Sequence, residues 1–244
     1  MILQACLNGA RRAGAHPALP LAAQALAADA GKVVRHGANE LHLHVRDSRG
    51  SETLDPDAVD FTLKLVRQMV SGTLIGISTG AWIEGDPELT LRRIRGWRTL
   101  PDHASVNLGE PAAPMIIDLL RQRGVAVEAG LASVADAERL VSLGLGTICL
   151  RILVELDHEQ TFGEAKAEAD AILSVLSRAW LGKSILMHGF DATVWPMLTY
   201  AIRSGHSARV GLEDGLTLPD GTLAEDNGAL VAAARRMIDE LKST

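Results

Sequence analysis

NELHLHVRD, residues 39–47, is the stretch on which both the fold and the site turn. Polar Glu40, His42 and His44 alternate there with apolar Leu41, Leu43 and Val45. Residues two apart share one face of a strand, so a strand that follows Gly37 and ends at the turn of residues 48–50 presents both imidazoles side by side. Neutral imidazole is a common ligand for zinc and related metals, and the pair is half of a metal site. Two ordinary polar residues on a half-buried strand are the alternative, and the rest of the chain has to decide between them.

Working outward, seven further strand-like runs accompany it: ILQACLN (2–8), TLIGIST (73–79), HASVNLG (103–109), VAVEAG (125–130), TICLRILVE (147–155), SILMHGF (184–190) and ARVGLED (208–214). Helical patterns lie between and after them, near 21–35, 56–70, 88–97, 111–123, 133–143, 163–180, 192–204 and 227–241. Asp55-Pro56 and Glu110-Pro111 read as helix starts, while Gly124, Gly144 and Gly205 stand where helices stop. Eight βα units are the number that closes a TIM (β/α)8 barrel, and no Pro/Gly-rich linker divides them, so one α/β barrel domain over residues 1–244 is expected. A doubly wound sheet is the rival fold, but NGARRAG (8–14) is a poor match to the phosphate-binding glycine fingerprint after its first strand.

With 47% apolar residues the chain can build a large core, and a net charge of −6 argues against nucleic acid or an anionic membrane as partner. The N-terminus lacks the order of a signal peptide, and no apolar run approaches the roughly 18 residues of a membrane span. A cytoplasmic protein is expected, with Cys6 and Cys149 as buried free thiols.

In a TIM barrel the site lies at the C-terminal ends of the strands. Those ends carry Asn8; His42 and His44; Ser78 and Thr79; Ser105 and Asn107; Glu128; Arg151 and Glu155; His188; and Glu213 and Asp214. A barrel with no activity could also have a polar rim. On the last strand, alternation places Arg209, Gly211 and Glu213 on one face, with Gly211 leaving room between two charged neighbours. Strands eight and two flank strand one, so Glu213 can approach His42 and His44. Two imidazoles and a carboxylate leave coordination positions open, as a catalytic metal requires. An ordinary ion pair between Arg209 and Glu213 is the alternative.

ACLNGAR (5–11), the His-x-His of HLHVRD, GISTG (76–80), ASVNLG (104–109), the acid of AVEAG and the closing RVGLED together resemble the β-keto acid cleavage enzymes, in that family's order and spacing from residue 3 to about 231. The resemblance implies a TIM barrel that holds a divalent metal, usually zinc, through His42, His44 and Glu213, and that converts a β-keto acid and acetyl-CoA to acetoacetate and a new acyl-CoA. It implies Asp214 as the catalytic acid, Arg209 as its partner, and Ser78, Ser105 and Glu128 as substrate contacts; Asn107 and Arg11 are read as further substrate-binding positions. On this reading Asp214, kept ionised by Arg209, takes a proton from the methyl of acetyl-CoA, and the enolate attacks the keto carbon. A homo-oligomer, dimer or tetramer, is expected.

Arg11 departs from what an amino-substituted substrate would want, which predicts a neutral or acidic β-keto acid; it could instead bind a CoA phosphate or be solvated. His188 reads equally as a substrate contact or a rim residue, Trp82 as a cover for the pocket, and Trp97, Trp180 and Trp195 as packing between helices and barrel. His16, His36, His103, His158 and His206 read as surface or loop residues. The competing functions are a metal-dependent hydrolase or class II aldolase on the same barrel, and a catalytically silent barrel that binds a small acid.

Overall fold

The computed structural model describes residues 1–156, 160–179 and 181–243. Eight parallel strands hydrogen-bond in chain order, and the last returns to the first: β1 Leu3–Cys6, β2 Glu40–Leu43, β3 Leu74–Ser78, β4 His103–Asn107, β5 Ala126–Leu131, β6 Arg151–Glu155, β7 Ile185–His188 and β8 Ser207–Val210. A helix follows each: α1 Ala23–Arg35, α2 Pro56–Met69, α3 Pro87–Gly96, α4 Ala113–Gln122, α5 Val134–Ser142, α6 Phe162–Arg178, α7 Val194–Arg203 and α8 Asn227–Lys242. This is the closed barrel that eight βα units predict. No helix among the described residues is long and apolar enough to cross a membrane.

Strand periodicity explains the layering. One set of alternate residues, including Ala5, Leu41, Leu43, Ile75, Ile77, Val127 and Ile152, is fully buried in the apolar core between sheet and helices. Each such Leu or Ile contributes about 1.5–3 kcal/mol of burial. The other set faces the barrel axis and is largely polar, where a TIM barrel commonly stacks branched aliphatics. Contacts between strands that are not neighbours prove the direction: Arg151 of β6 pairs with Glu40 of β2, and Gln4 of β1 donates to Glu128 of β5 at 2.9 Å.

Local chemistry sets the helix ends. The Asp55 carboxylate accepts from the backbone N–H of Asp57 and Ala58, with Pro56 at the first helical position, and Thr161 and Glu164 cap α6 reciprocally. Glu110-Pro111 behaves differently. The α4 helix begins at Ala113 without a side-chain cap, and the Glu110 carboxylate instead accepts from Ala81 N–H at 2.8 Å.

Two strands are shorter than their sequence runs. Leu145–Thr147 is a 3₁₀ turn, and Ile148 and Leu150 are 37% and 43% exposed, because β5 starts only at Ala126 and offers nothing earlier to pair with. The eighth strand ends at Val210. A Cβ on Gly211 would lie 1.9 Å from the Cys6 carbonyl oxygen, so Gly211 admits the backbone of β1 rather than spacing two charged side chains, and residues 211–215 form a turn.

Of the histidines expected at the surface or in loops, His103 lies in a strand inside the barrel, and His16 lies in a loop but is buried. His103 points from β4 to the barrel axis with no exposure, and Gly76 opposite makes room, since a Cβ there would meet its Nε2 at 2.2 Å. His16 is buried, its Nε2 2.9 Å from the Ala224 carbonyl oxygen. Cys6 and Cys149 are buried free thiols. Trp97 is buried and donates to the Leu54 carbonyl at 3.0 Å, while the expectations for Trp180 and His158 fall outside the described residues.

Candidate metal centre and active site

A cavity of about 380 Å³ opens at the C-terminal ends of the strands. His42, the penultimate residue of β2, and His44, just past its end, both line it, with ring centroids 5.3 Å apart. Asn8 fixes the second one: its side chain donates to the His44 carbonyl and accepts from the His44 N–H, each at 2.9 Å. Glu213 arrives on the turn after β8, positioned by Leu212 N–H bonding to the Asn227 side chain at 2.7 Å and Glu213 N–H to the Cys6 carbonyl at 3.3 Å. Its Oε1 lies 3.8 Å from Nε2 of both His42 and His44.

These three donors suit a divalent ion. Ligands at about 2.1 Å from a tetrahedral centre stand roughly 3.4 Å apart, close to the 3.8 Å from Glu213 to each histidine, and all three candidate donor atoms lie within 4.8 Å of one another. Burial and the Arg209 guanidinium hold His42 well below the ordinary imidazole range, leaving it neutral as a ligand must be. His44 Nδ1 sits 2.5 Å from Glu52 Oε1, which turns Nε2 toward Glu213 and supplies the carboxylate partner that metal-bound histidines use. Glu213 Oε2 is buried with no partner among the described residues. Burial raises the Glu213 carboxyl above its ordinary value despite Arg209, whose Nη2 is 2.5 Å away. Glu213 and Asp214 thus bring two adjacent acids against the Arg209 guanidinium.

Ser78, Ser105, Asn107, Arg209 and Arg11 also line the cavity. Arg11 is largely committed: it pairs with Asp191 at 2.6 Å and donates to the carbonyls of Glu213 and Asp214 at 3.0 and 3.2 Å, tying the first loop to the metal-ligand turn. Asp214 lies behind the cavity wall with no exposure. Its Oδ1 is 3.1 Å from His188 Nδ1 and 3.6 Å from Arg209 Nη2. Burial works to raise the Asp214 carboxyl, but the charges of His188 and Arg209 outweigh it and hold it below the usual range. His188 is therefore neither rim nor cavity wall; it backs Asp214.

Glu128 is not in the cavity. It lies one layer down the barrel, wholly enclosed, with Arg151 Nε at 2.6 Å and His103 Nε2 at 3.4 Å. Its register partner Ser105 does line the cavity, but the Glu128 carboxylate is engaged by Gln4, Arg151 and His103 inside the barrel.

Sequence reasoning gave no role to Glu52. An antiparallel bridge between Arg46 and Glu52 folds residues 46–52 into a hairpin, and this returns Glu52 to His44. The Ser48-Arg49-Gly50 turn was the available signal. Trp82, 52% exposed, stacks over His44 with centroids 6.3 Å apart and donates to Glu52 at 3.1 Å, covering the site as expected.

The sequence model of the beta-keto acid cleavage enzymes matches residues 1–244. The 3-keto-5-aminohexanoate cleavage enzyme of Fusobacterium nucleatum subsp. nucleatum is 25% identical over 268 residues, covering 99% of this chain and 92% of that protein. The enzyme of the same name from Acetoanaerobium sticklandii is 23% identical over 255 residues, covering 98% and 92%. In fold, the apo structure of ObcA superposes with a TM-score of 0.74 at 16% identity, over 93% of this chain; the chain spans 63% of the length of ObcA.

Proposed function

Because the chain belongs to the beta-keto acid cleavage enzyme family, we propose that it is a divalent-metal-dependent acyltransferase, one barrel domain converting a β-keto acid and acetyl-CoA to acetoacetate and a new acyl-CoA. The observation that carries this reading is the convergence of His42, His44 and Glu213 on one cavity with an ionised carboxylate, Asp214, directly behind it. An ion held there, zinc by its two imidazoles and one carboxylate, supplies Lewis acidity to the keto carbonyl and so raises the acidity of the adjacent C–H.

Atom balance decides which carbon reacts. Joining the acetyl-CoA methyl to the keto carbon, as expected from the sequence, leaves no route to the methyl ketone of acetoacetate. The proton therefore leaves C2, between the keto and carboxylate groups of the acid, and Asp214 receives it, kept ionised by His188 and Arg209. The C2 carbanion bonds to the thioester carbon of acetyl-CoA and expels CoA thiolate. The thiolate then bonds to the original keto carbon, whose bond to C2 breaks, giving the new acyl-CoA and the acetoacetate carbanion. The proton returns from Asp214. Ser78 and Ser105 donate to the substrate carboxylate at the cavity wall, and Arg11 holds the turn that carries Glu213 and Asp214.

The test is acetoacetate formation across a panel of β-keto acids, with metal content measured on the same protein. About one equivalent of zinc per chain and a product that requires acetyl-CoA are expected, with Asp214→Asn keeping the metal and losing turnover. Metal without acetyl-CoA dependence would move the assignment to a hydrolase or aldolase.

A further inference from the structure

The turn of residues 211–215 carries both Glu213 and Asp214, so whatever holds that turn holds the site. Arg11 bonds to two of its carbonyls, and the Cys6 carbonyl accepts from Glu213 N–H. A further hold comes from far along the chain. Asn227, the first residue of α8, is fully buried, and its amide reaches between the end of β1 and the turn. Its Oδ1 accepts from Leu212 N–H at 2.7 Å, and its Nδ2 donates to the Leu7 carbonyl at 2.8 Å. That orientation is set by chemistry, since a backbone N–H only donates and a carbonyl only accepts.

Both contacts lead to metal donors. Leu212 directly precedes Glu213. Leu7 gives its own N–H to the His42 carbonyl at 3.0 Å and precedes Asn8, whose side chain fixes the His44 backbone. One amide therefore bridges the histidine side of the centre and the Glu213 side. Neither Asn227 nor Asp29 behind it lines the cavity, so both act through other residues.

The second Nδ2 hydrogen goes to Asp29 Oδ2 at 2.7 Å. Asp29 is a buried acid of α1, and burial pushes its carboxyl up to about 6 against the Asn227 hydrogen bond and the Lys32 charge. With that acceptor in place the amide cannot turn without losing all three bonds. Two glycines admit the arrangement. A Cβ on Gly211 would stand 3.0 Å from Asn227 Oδ1, and one on Gly228 would meet Lys32 Cδ at 2.9 Å, closing the space in which α1 approaches the start of α8. Lys32 in turn pairs at 2.6 Å with Asp226, the residue that caps α8.

We infer that Asn227, oriented by Asp29, is a positioning residue for the metal centre, setting the span between His42 and His44 on one side and Glu213 and Asp214 on the other. What is positioned rests on the proposed metal site; the locking of the turn does not.

The test compares full-length Asn227→Ala, Asn227→Asp, and Asn227→Asp combined with Asp29→Asn. Chelator competition should find zinc affinity weaker by about 10–100-fold in Asn227→Ala. At saturating zinc, kcat should fall by about tenfold or more while KM for the β-keto acid stays within about threefold. In the metal-free protein, amide hydrogen exchange at residues 211–215 should quicken by about tenfold or more with β3, β4 and β5 unchanged. Asn227→Asp sets two carboxylates against each other. Adding Asp29→Asn restores a donor between them, and should recover at least half of the lost affinity on a logarithmic scale. These two chains carry the comparison if Asn227→Ala does not fold. A wild type that binds no zinc, with faster exchange at 211–215 in the variants, sinks the metal site alone and supports the lock. Unchanged exchange at 211–215, unchanged affinity in a wild type that binds zinc, losses that follow global unfolding in urea, or no recovery in the combined variant overturns the inference.

Discussion

The barrel axis holds two clusters of similar make-up at different depths. His42, His44 and Glu213 sit at the mouth, and Glu40, His103 and Glu128 lie below them; in each trio the candidate donor atoms fall within 4.8 Å of one another. Donor spacing does not distinguish them, nor do unpartnered atoms, since among the described residues Glu128 Oε2 and His103 Nδ1 lack partners as Glu213 Oε2 does. What differs is access and the response of the buried carboxyls. The lower trio is sealed, and Arg151 stands between its carboxylates, 2.5 Å from Glu128 and in contact with Glu40. The upper trio opens on the cavity, and its guanidinium, Arg209, likewise serves two acids, Glu213 and Asp214. The two buried carboxyls respond oppositely: burial lifts Glu213, whereas at Glu128 the charges of His103 and Arg151 overcome burial and pull it down. A buried carboxylate requires a cation; each cluster has a guanidinium, and only the upper one opens on a cavity from which an ion could enter.

Breaking the upper cluster has the largest expected effect. His44→Ala should remove the bound metal and lower turnover by about 10³-fold, the loss of several kcal/mol of Lewis-acid stabilisation. His103→Ala should leave metal content as it was; metal lost from His103→Ala and kept in His44→Ala would reverse the comparison. Breaking the lower cluster should cost stability. Arg151→Met strands two buried carboxylates, for about 3–5 kcal/mol by urea denaturation. A loss under about 1 kcal/mol would show that the two lower carboxylates do not depend on Arg151.

The pH dependence carries the same sign. Glu128 has a depressed folded value, so its contribution is present above the ordinary carboxylate range near about 4.3 and is lost as pH falls through the lower folded value. In Arg151→Met that acid loss should begin at higher pH. The smallest effect sharpens the upper site: Glu52→Gln removes the carboxylate behind His44, and chelator competition should find metal affinity weaker by about 10–100-fold.

How much of this was legible beforehand follows from range in sequence. The hairpin at residues 46–52 brings Glu52 to His44 over eight positions, and only its turn residues announced it. Glu128 stands near a strand end in sequence, while the direction of its carboxylate depends on Gln4 and Arg151 from strands far away in the chain. His103 was placed at the surface because nothing near it in sequence mentions Gly76, the residue that gives it room.

By itself the sequence determined the repeat of eight βα units, the strand that carries His42 and His44, and the family to which the chain belongs. These depend on period, helix caps and motif spacing, which are local and written in order along the chain. Only the tertiary structure decided which polar residues share a layer of the barrel, that Arg151 rather than an ion occupies the lower cluster, and that Asp214 lies behind the cavity wall instead of in it. Closing the barrel sets residues from β2, β5 and β6 against one another across its axis, and no periodicity records a contact made across a ring.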